Sequence, residues 1–248
     1  MTAFFRTGSF GNGTSVRGFS DVDYFAELPS SELTTSSNAS LRKVCDVLDA
    51  RFPDTGVAVR TPAIVVPFGT DGTETTEIVV GDFRRTVGSR NYRLYEIADR
   101  RDGWMVSVPE AHTAYVTRID EKLGRKAKGL IRLLKLWKYE RQVPIRSFYL
   151  EMRAAAYADG ETEIIYSHDV RNVLAELLRC DLAAMQYPTG FVGLIRAGTE
   201  TQRLDALSKV ETALIRADKA IDAGRDGNTE DAFDWWDKLF GYAFPAYG

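Results

Sequence analysis

The sequence predicts an α+β fold in two parts, a mixed β-sheet lobe followed by a helical lobe. Three observations support this. Over the first ~100 residues, β-type runs at 57–60, 63–68 and 76–80 alternate with Gly-rich turns. From about Ala111 onward the apolar positions recur at helical spacing with short breaks. Asp21 and Asp23 stand behind a segment rich in Gly, Ser and Thr, which marks the sheet lobe as the place for chemistry.

In chain order, residues 8–20 read as a loop whose backbone N–H groups suit an anion such as phosphate. A strand bearing Asp21 and Asp23 follows. Residues 29–40 are polar and Ser/Thr-rich, a loop that caps a helix. The helix over 41–52 carries Leu41, Val44, Cys45, Val47 and Leu48 at helical spacing. Then come the strands 57–60, 63–68 and 76–80, a meander against helices. The second lobe reads as helices over 112–124, 126–141, 146–158, 168–186, 202–224 and 228–240, with Asp226-Gly227-Asn228 separating the last two. No internal repeat and no Pro-rich linker divides the chain, so the expected lobes, 1–110 and 111–248, pack as one unit.

Composition narrows the function classes. The 248 residues can bury a substantial core. A net charge of −3 gives no global basic character for nucleic acid or a membrane surface. No apolar run is long enough to span a bilayer, and the N-terminus lacks a signal-peptide pattern. Cys45 and Cys180 read as reduced core thiols, which suits a cytoplasmic protein. Together with His112 and His168 they lack the paired spacing of a zinc site.

The chemistry begins with Asp21 and Asp23. Residues two apart on a strand point to one face, and two such carboxylates repel unless a divalent cation lies between them. Mg²⁺ takes oxygen ligands, usually one or two carboxylates plus substrate phosphates. The segment reads as half of a metal-dependent nucleotide site, with a polar strand end as its bland alternative. In-line phosphoryl transfer needs a third carboxylate on a neighbouring strand. Glu77 and Asp82 are the candidates, and five positions apart they face opposite sides of a regular strand. Either could instead be structural. Leu130, Ile131, Leu133, Leu134 and Trp137 form a core stripe, with Lys126, Lys128, Arg132, Lys135 and Lys138 as a basic surface on the same helix. Ser147 reads as a helix cap. Tyr149, Tyr166 and Tyr187 are core residues or base-stacking ones. The aromatic segment 235–245 packs a C-terminal helix and tail or meets a partner.

Gly8-Ser9, about a dozen residues, then Asp21-Val22-Asp23 resembles the nucleotidyltransferase superfamily that includes DNA polymerase β. Glu77-Ile78-Val79-Val80 narrows this to the cGAS/DncV-like nucleotidyltransferases (CD-NTases) and their animal relatives, cyclic GMP-AMP synthase and oligoadenylate synthase. That family usually places Asp where Glu77 stands and often Pro where Val80 stands. Trp104 to His112 resembles its Trp-x-x-Ser-x-Pro-x-x-His segment. Residues 129–138 resemble its first C-lobe helix, and 144–151 the start of the next. These stretches cover most of 7–155, and their order is more specific than any one of them.

The resemblance implies a bilobal polymerase β-like fold. It also implies a reaction that joins ATP and other nucleoside triphosphates into a cyclic di- or oligonucleotide with release of pyrophosphate. Asp21, Asp23 and Glu77 would hold two Mg²⁺ ions, or Mn²⁺, and Gly8, Ser9, Lys135 and Ser147 would grip the phosphates. The product would be a second messenger in bacterial anti-phage defence (CBASS), acting on a downstream effector with accessory proteins. The zinc insertion of the animal DNA sensor is absent, so DNA sensing by that device is not expected, nor is a membrane partner. Family members usually carry a bracing helix before the Gly-Ser motif, whereas Gly8-Ser9 here begins almost at Met1. The alternatives are a transferase that modifies a protein, RNA or small-molecule acceptor, and a catalytically degenerate nucleotide-binding module.

Overall fold

The structure is a computed structural model that describes all residues except 71–73, 192, 246 and 248. It divides into two compact units, Met1–Tyr115 and Val116–Gly248, with the division falling inside one helix.

The first unit is built on a seven-stranded mixed sheet. Strand β1 (Ala3–Arg6) leads into a single helical turn, α1 (Gly8–Asn12), and then into β2 (Val22–Glu27). The segment expected to be loop therefore folds as a short helix, ended by Gly13 at φ 70°. Helix α2 (Ser37–Arg51) follows, with the Ser36 hydroxyl accepting from the Ala39 N–H. It starts earlier than its apolar positions suggest, because Ser37 and Ser40 are themselves buried. The remaining strands are β3 (Ala58–Arg60), β4 (Ala63–Phe68), β5 (Glu74–Val87), β6 (Tyr92–Ala98) and β7 (Trp104–Ser107). The Gly-rich turn expected between β4 and β5 falls partly on 71–73, outside the described residues.

The strand order is β1-β2-β5-β4-β3, and the far half of β5 pairs with β6 and then β7. Of these pairings β2 with β5 is parallel, and the others are antiparallel. One face of the sheet packs Leu41, Ile64, Val80 and Ala98 with the apolar side of α2. The other gathers Phe25, Tyr95 and Ile97 with Phe5 and Val79, the Phe25 and Tyr95 rings 4.6 Å apart. Alternation of side chains along β2 and β5 sorts residues between these faces.

Helix α3 (Pro109–Lys122) crosses from the first unit into the second. The second unit continues with α4 (Ala127–Glu140), α5 (Ser147–Gly160) and α6 (Tyr166–Arg179). A small ribbon of β8 (Met185–Gln186) and β9 (Leu194–Ile195) comes next, then α7 (Glu200–Arg225) and α8 (Thr229–Leu239). The helix expected over 168–186 stops at Arg179, where Asp181 (φ 54°) and Leu182 (φ 49°) turn the chain in left-handed conformations. Buried Leu130, Ile131, Leu134 and Trp137 confirm the stripe on α4 as core. Helix α7 buries Ala206, Val210, Ala213, Ala217 and Ala220, a seam of small residues against α6 and α8. Thr199 and Gln202 close a capping box at its start. At the C-terminus, Phe240 stacks on Phe244 at 5.7 Å, so tail and helix pack together.

Candidate active site

Asp21 lies just before β2 and Asp23 within it. In the parallel β2–β5 pairing Asp23 is directly opposite Glu77. Residues paired in register share a face, so the two carboxylates emerge on the same side of the sheet. This is the face that holds Phe25 and Val79 two residues further on. Asp21 is exposed, and Asp23 and Glu77 are half-buried. Burial foremost, and then the like charge of Asp21, raise the Glu77 pKa, while Arg60 works in the opposite direction. Arg60 stands on β3 with its guanidinium 3.8 Å from the Glu77 carboxylate.

Asp82, the other candidate for third carboxylate, takes the opposite face. Its carboxylate accepts from the Ser30 hydroxyl at 2.7 Å and pairs with Arg84 at 2.9 Å. It belongs to a local ion-pair cluster that also includes Glu96.

Gly8 abuts Asp23. A Cβ added at Gly8 would stand 2.0 Å from the Asp23 carboxylate oxygen Oδ2, and Gly8 has a left-handed φ of 57°. Both facts require glycine there. The Thr7 N–H donates to the Asp23 carbonyl at 2.9 Å, and the N–H of buried Thr14 donates to the Ser9 carbonyl at 2.9 Å. These contacts fix the Gly8-Ser9 backbone next to the Asp23 side chain. Asn12, only 1% exposed, reaches out of α1 to His112 on α3, its Nδ2 3.1 Å from His112 Nε2.

In the second unit the sequence pointed to Lys135 and Ser147. Lys135 is 1% exposed, with its ammonium 3.3 Å from the carboxylate of Glu151, itself 2% exposed. The structure thus commits its charge to a buried ion pair between α4 and α5 rather than leaving it at the surface. Ser147 opens α5 as its first residue, preceded by Arg146 as cap, and its hydroxyl lies 3.2 Å from that of Tyr139. Lys138 has its ammonium over the Tyr139 ring at 4.1 Å. Burial lowers its pKa most, and the neighbouring Lys135 lowers it further. Tyr149 is core, its hydroxyl donating to the Ala183 carbonyl at 2.8 Å. Burial pushes its pKa up to about 12. Tyr187 is also buried and stacks on half-exposed Phe148 at 5.9 Å. Tyr166 is 40% exposed.

The donor set Asp21, Asp23 and Glu77 is all-carboxylate, which is what a hard divalent cation takes. Burial first, and the like charge of Asp21 second, disfavour the Glu77 carboxylate, and a cation beside it would offset both. Among the described residues no three His, Cys, Asp or Glu side chains stand close enough together, as placed, to hold a metal ion. Cys45 and Cys180 are free thiols. Among the described residues no helix is long and apolar enough to cross a membrane. The sequence reading missed Arg60 and the Asn12–His112 pair. Arg60 is signalled only by register, two residues beyond the Ala58 that opposes Val65 and hence Glu77. The Asn12–His112 contact spans 100 positions and has no local signal.

No protein-family model matches the chain. A "Probable cyclic nucleotide synthase" of Bacillus cereus (strain VD146) is 24% identical over 157 residues, covering 62% of this chain and 46% of that protein. The chain thus spans about half the length of the curated relative it matches. Among solved structures, CdnC of E. coli MS115-1 with ATP superposes with a TM-score of 0.74 at 18% identity, over 98% of this chain and 84% of that one. The Vibrio cholerae cyclic AMP-GMP synthase DncV, with the linear intermediate pppA(3′,5′)pG, gives 0.76 at 14% identity, over 98% and 70%. Elizabethkingia meningoseptica CdnE, a cyclic dinucleotide synthase with GTP and Apcpp, gives 0.66 at 19% identity, over 84% and 82%. The chain has the fold of these proteins.

Proposed function

We propose that the chain is a nucleotidyltransferase of the CD-NTase family that joins nucleoside triphosphates into a cyclic di- or oligonucleotide and releases pyrophosphate. The observation that carries this reading is the register of β2 and β5. It sets Asp23 beside Glu77, on a strand whose neighbouring turn lays Gly8 against Asp23. That is the arrangement a phosphate-bound metal requires on a fold shared with nucleotide-bound cyclic nucleotide synthases.

Asp21, Asp23 and Glu77 hold divalent cations, with Mg²⁺ the best fit to the donor set. Bound there, the metal supplies Lewis-acid chemistry, neutralising phosphate charge and acidifying the attacking hydroxyl. The protein does the rest. Gly8 and Ser9 orient the triphosphate. Lys135, its charge spent on Glu151, fixes α4 to α5 so that Ser147 is held in place. A ribose hydroxyl oxygen of the acceptor nucleotide bonds to the α-phosphorus of the donor triphosphate as that donor's bond to pyrophosphate breaks. Glu77 accepts the hydroxyl proton. A second transfer of the same kind closes the ring. By resemblance the product is a second messenger that switches on an effector in anti-phage defence. The E. coli MS115-1 CdnC forms a complex with a HORMA protein, and a partner of that class belongs to the same reading.

The test is incubation with all four NTPs, each radiolabelled in turn, with Mg²⁺ and separately Mn²⁺, followed by phosphatase. A phosphatase-resistant product that disappears in Asp21→Ala/Asp23→Ala is expected. A labelled product that forms only when a protein, RNA or small-molecule acceptor is added would replace the cyclase by a modifying transferase. ATP binding without turnover in any of these mixtures would favour the degenerate module.

A further inference from the structure

We infer that Asn12 and His112 form the strut that positions Gly8-Ser9 for the nucleotide phosphates, which makes both of them positioning residues. This rests on the nucleotidyltransferase reading above. Helix α1 is five residues long, and a single turn of helix does not hold its own orientation. Several of its ties are local: Thr7 to the Asp23 carbonyl, Thr14 to the Ser9 carbonyl, and Gly8 against the Asp23 side chain. The Asn12–His112 contact ties the same turn to α3, 100 positions away.

The choice of residue types is informative. Asn12 is 1% exposed, and an amide taken out of water is costly unless it is hydrogen-bonded. An apolar side chain would fill the same place without that cost. An amide bonded to an imidazole nitrogen at 3.1 Å instead fixes both distance and direction. Asn12 lies three residues after Ser9 and four after Gly8, directly above them on the turn. Any displacement of Asn12 therefore passes to the phosphate-facing backbone within one turn. His112 is a firm anchor, since it follows Pro109 in the first turn of α3 and buried Val108 and Ala111 flank it.

The experiment is a double-mutant cycle on the full chain with Asn12→Ala, His112→Ala and the double variant. Its readouts are ATP affinity, KM and kcat with NTPs, and thermal midpoint. Each single variant is expected to weaken ATP binding and raise KM about tenfold, the scale of one lost hydrogen bond. Expected too is a kcat within about threefold of wild type, and a double variant no worse than the poorer single one. His112→Gln, which keeps an acceptor for the Asn12 amide, restores most of the affinity. A fall in thermal midpoint with ATP affinity and KM unchanged would make the pair merely structural and overturn the inference, as would full additivity. If the wild type binds ATP but makes no product, the synthase reading fails and the affinity cycle alone decides the inference. If it binds no ATP, both are overturned.

Discussion

Gly8 cannot be replaced without moving Asp23. Alanine there would bring a methyl group to 2.0 Å from a carboxylate oxygen, at a φ of 57° that L side chains avoid. Gly8→Ala should therefore lose nucleotidyl transfer by about 100-fold or more, because displacing a site group by an ångström costs that much. Circular dichroism and initial rates check this: a near-native spectrum with lost activity is expected, and retained activity would detach Gly8 from the site. Glu77 makes a second prediction. Its folded-state pKa lies above its unfolded value, so folding favours its protonated form. That stabilisation is complete below the ordinary carboxylate range and is lost as pH rises through the raised folded value. Without metal, Glu77→Gln should melt with wild type at low pH and above it at neutral pH, while losing activity. Equal midpoints at neutral pH would show that Arg60 already neutralises the strain. The choice between Glu77 and Asp82 was open in the sequence because parity alone says only that they differ. Register with β2 and the ion pair to Arg84 are what separate them.

Between α4 and α5 the buried pair of Lys135 and Glu151 makes an element-scale prediction. Removing one partner leaves the other charged and buried, which costs about 3–5 kcal/mol. Lys135→Met or Glu151→Leu should each destabilise the chain on that scale in urea melts, and the double variant should recover much of the loss. Independent, additive losses would show that the two groups do not rely on each other. The same pair illustrates what a helical pattern conceals. Lys135 stands among Arg132, Lys138 and other cations on α4, so by composition it belongs to a basic surface. Only its partner sixteen residues on, in another helix, puts it in the core. Most helices were legible: α2, α4, α5, α7 and α8 lie within a few residues of the ranges predicted for them. Strands β3 and β4 also lie where their β-type runs predict, whereas β1, β6 and β7 were not read from the sequence. Strand β1 is recognisable by its antiparallel register with β2, and β6 and β7 by theirs with β5 and with each other. The end of α6 was overrun because Leu182 is apolar and 1% exposed, which mimics helical spacing while the backbone turns left-handed.

At the scale of the whole molecule, the motifs are individually weak, and their order along the chain carried the fold. Glu77 stands where the CD-NTases that the chain resembles usually carry Asp, yet the register still sets it opposite Asp23. What order cannot convey is charge balance at the site, because that depends on which carboxylates converge. The net charge of −3 does not show where like charges meet: burial and then Asp21 raise the Glu77 pKa, and exposed Arg60 compensates only in part. A chain built this way should gain stability from a divalent cation with nucleotide, since both bind the folded state alone. At a hundredfold excess over Kd such binding adds about 2.7 kcal/mol, or about 5–10 °C for a chain of this length. Thermal melts with ATP and with Mg²⁺, separately and together, read this directly. Wild type should show a shift for the pair greater than the sum of the two alone, since phosphate and carboxylates share the ion. In Asp21→Ala/Asp23→Ala the metal-free midpoint should hold or rise, because like charges have been removed, and the Mg²⁺-dependent part of the shift should vanish. An equal Mg²⁺-dependent shift in wild type and variant would mean that the ion binds elsewhere, and would remove Asp21 and Asp23 from the proposed site.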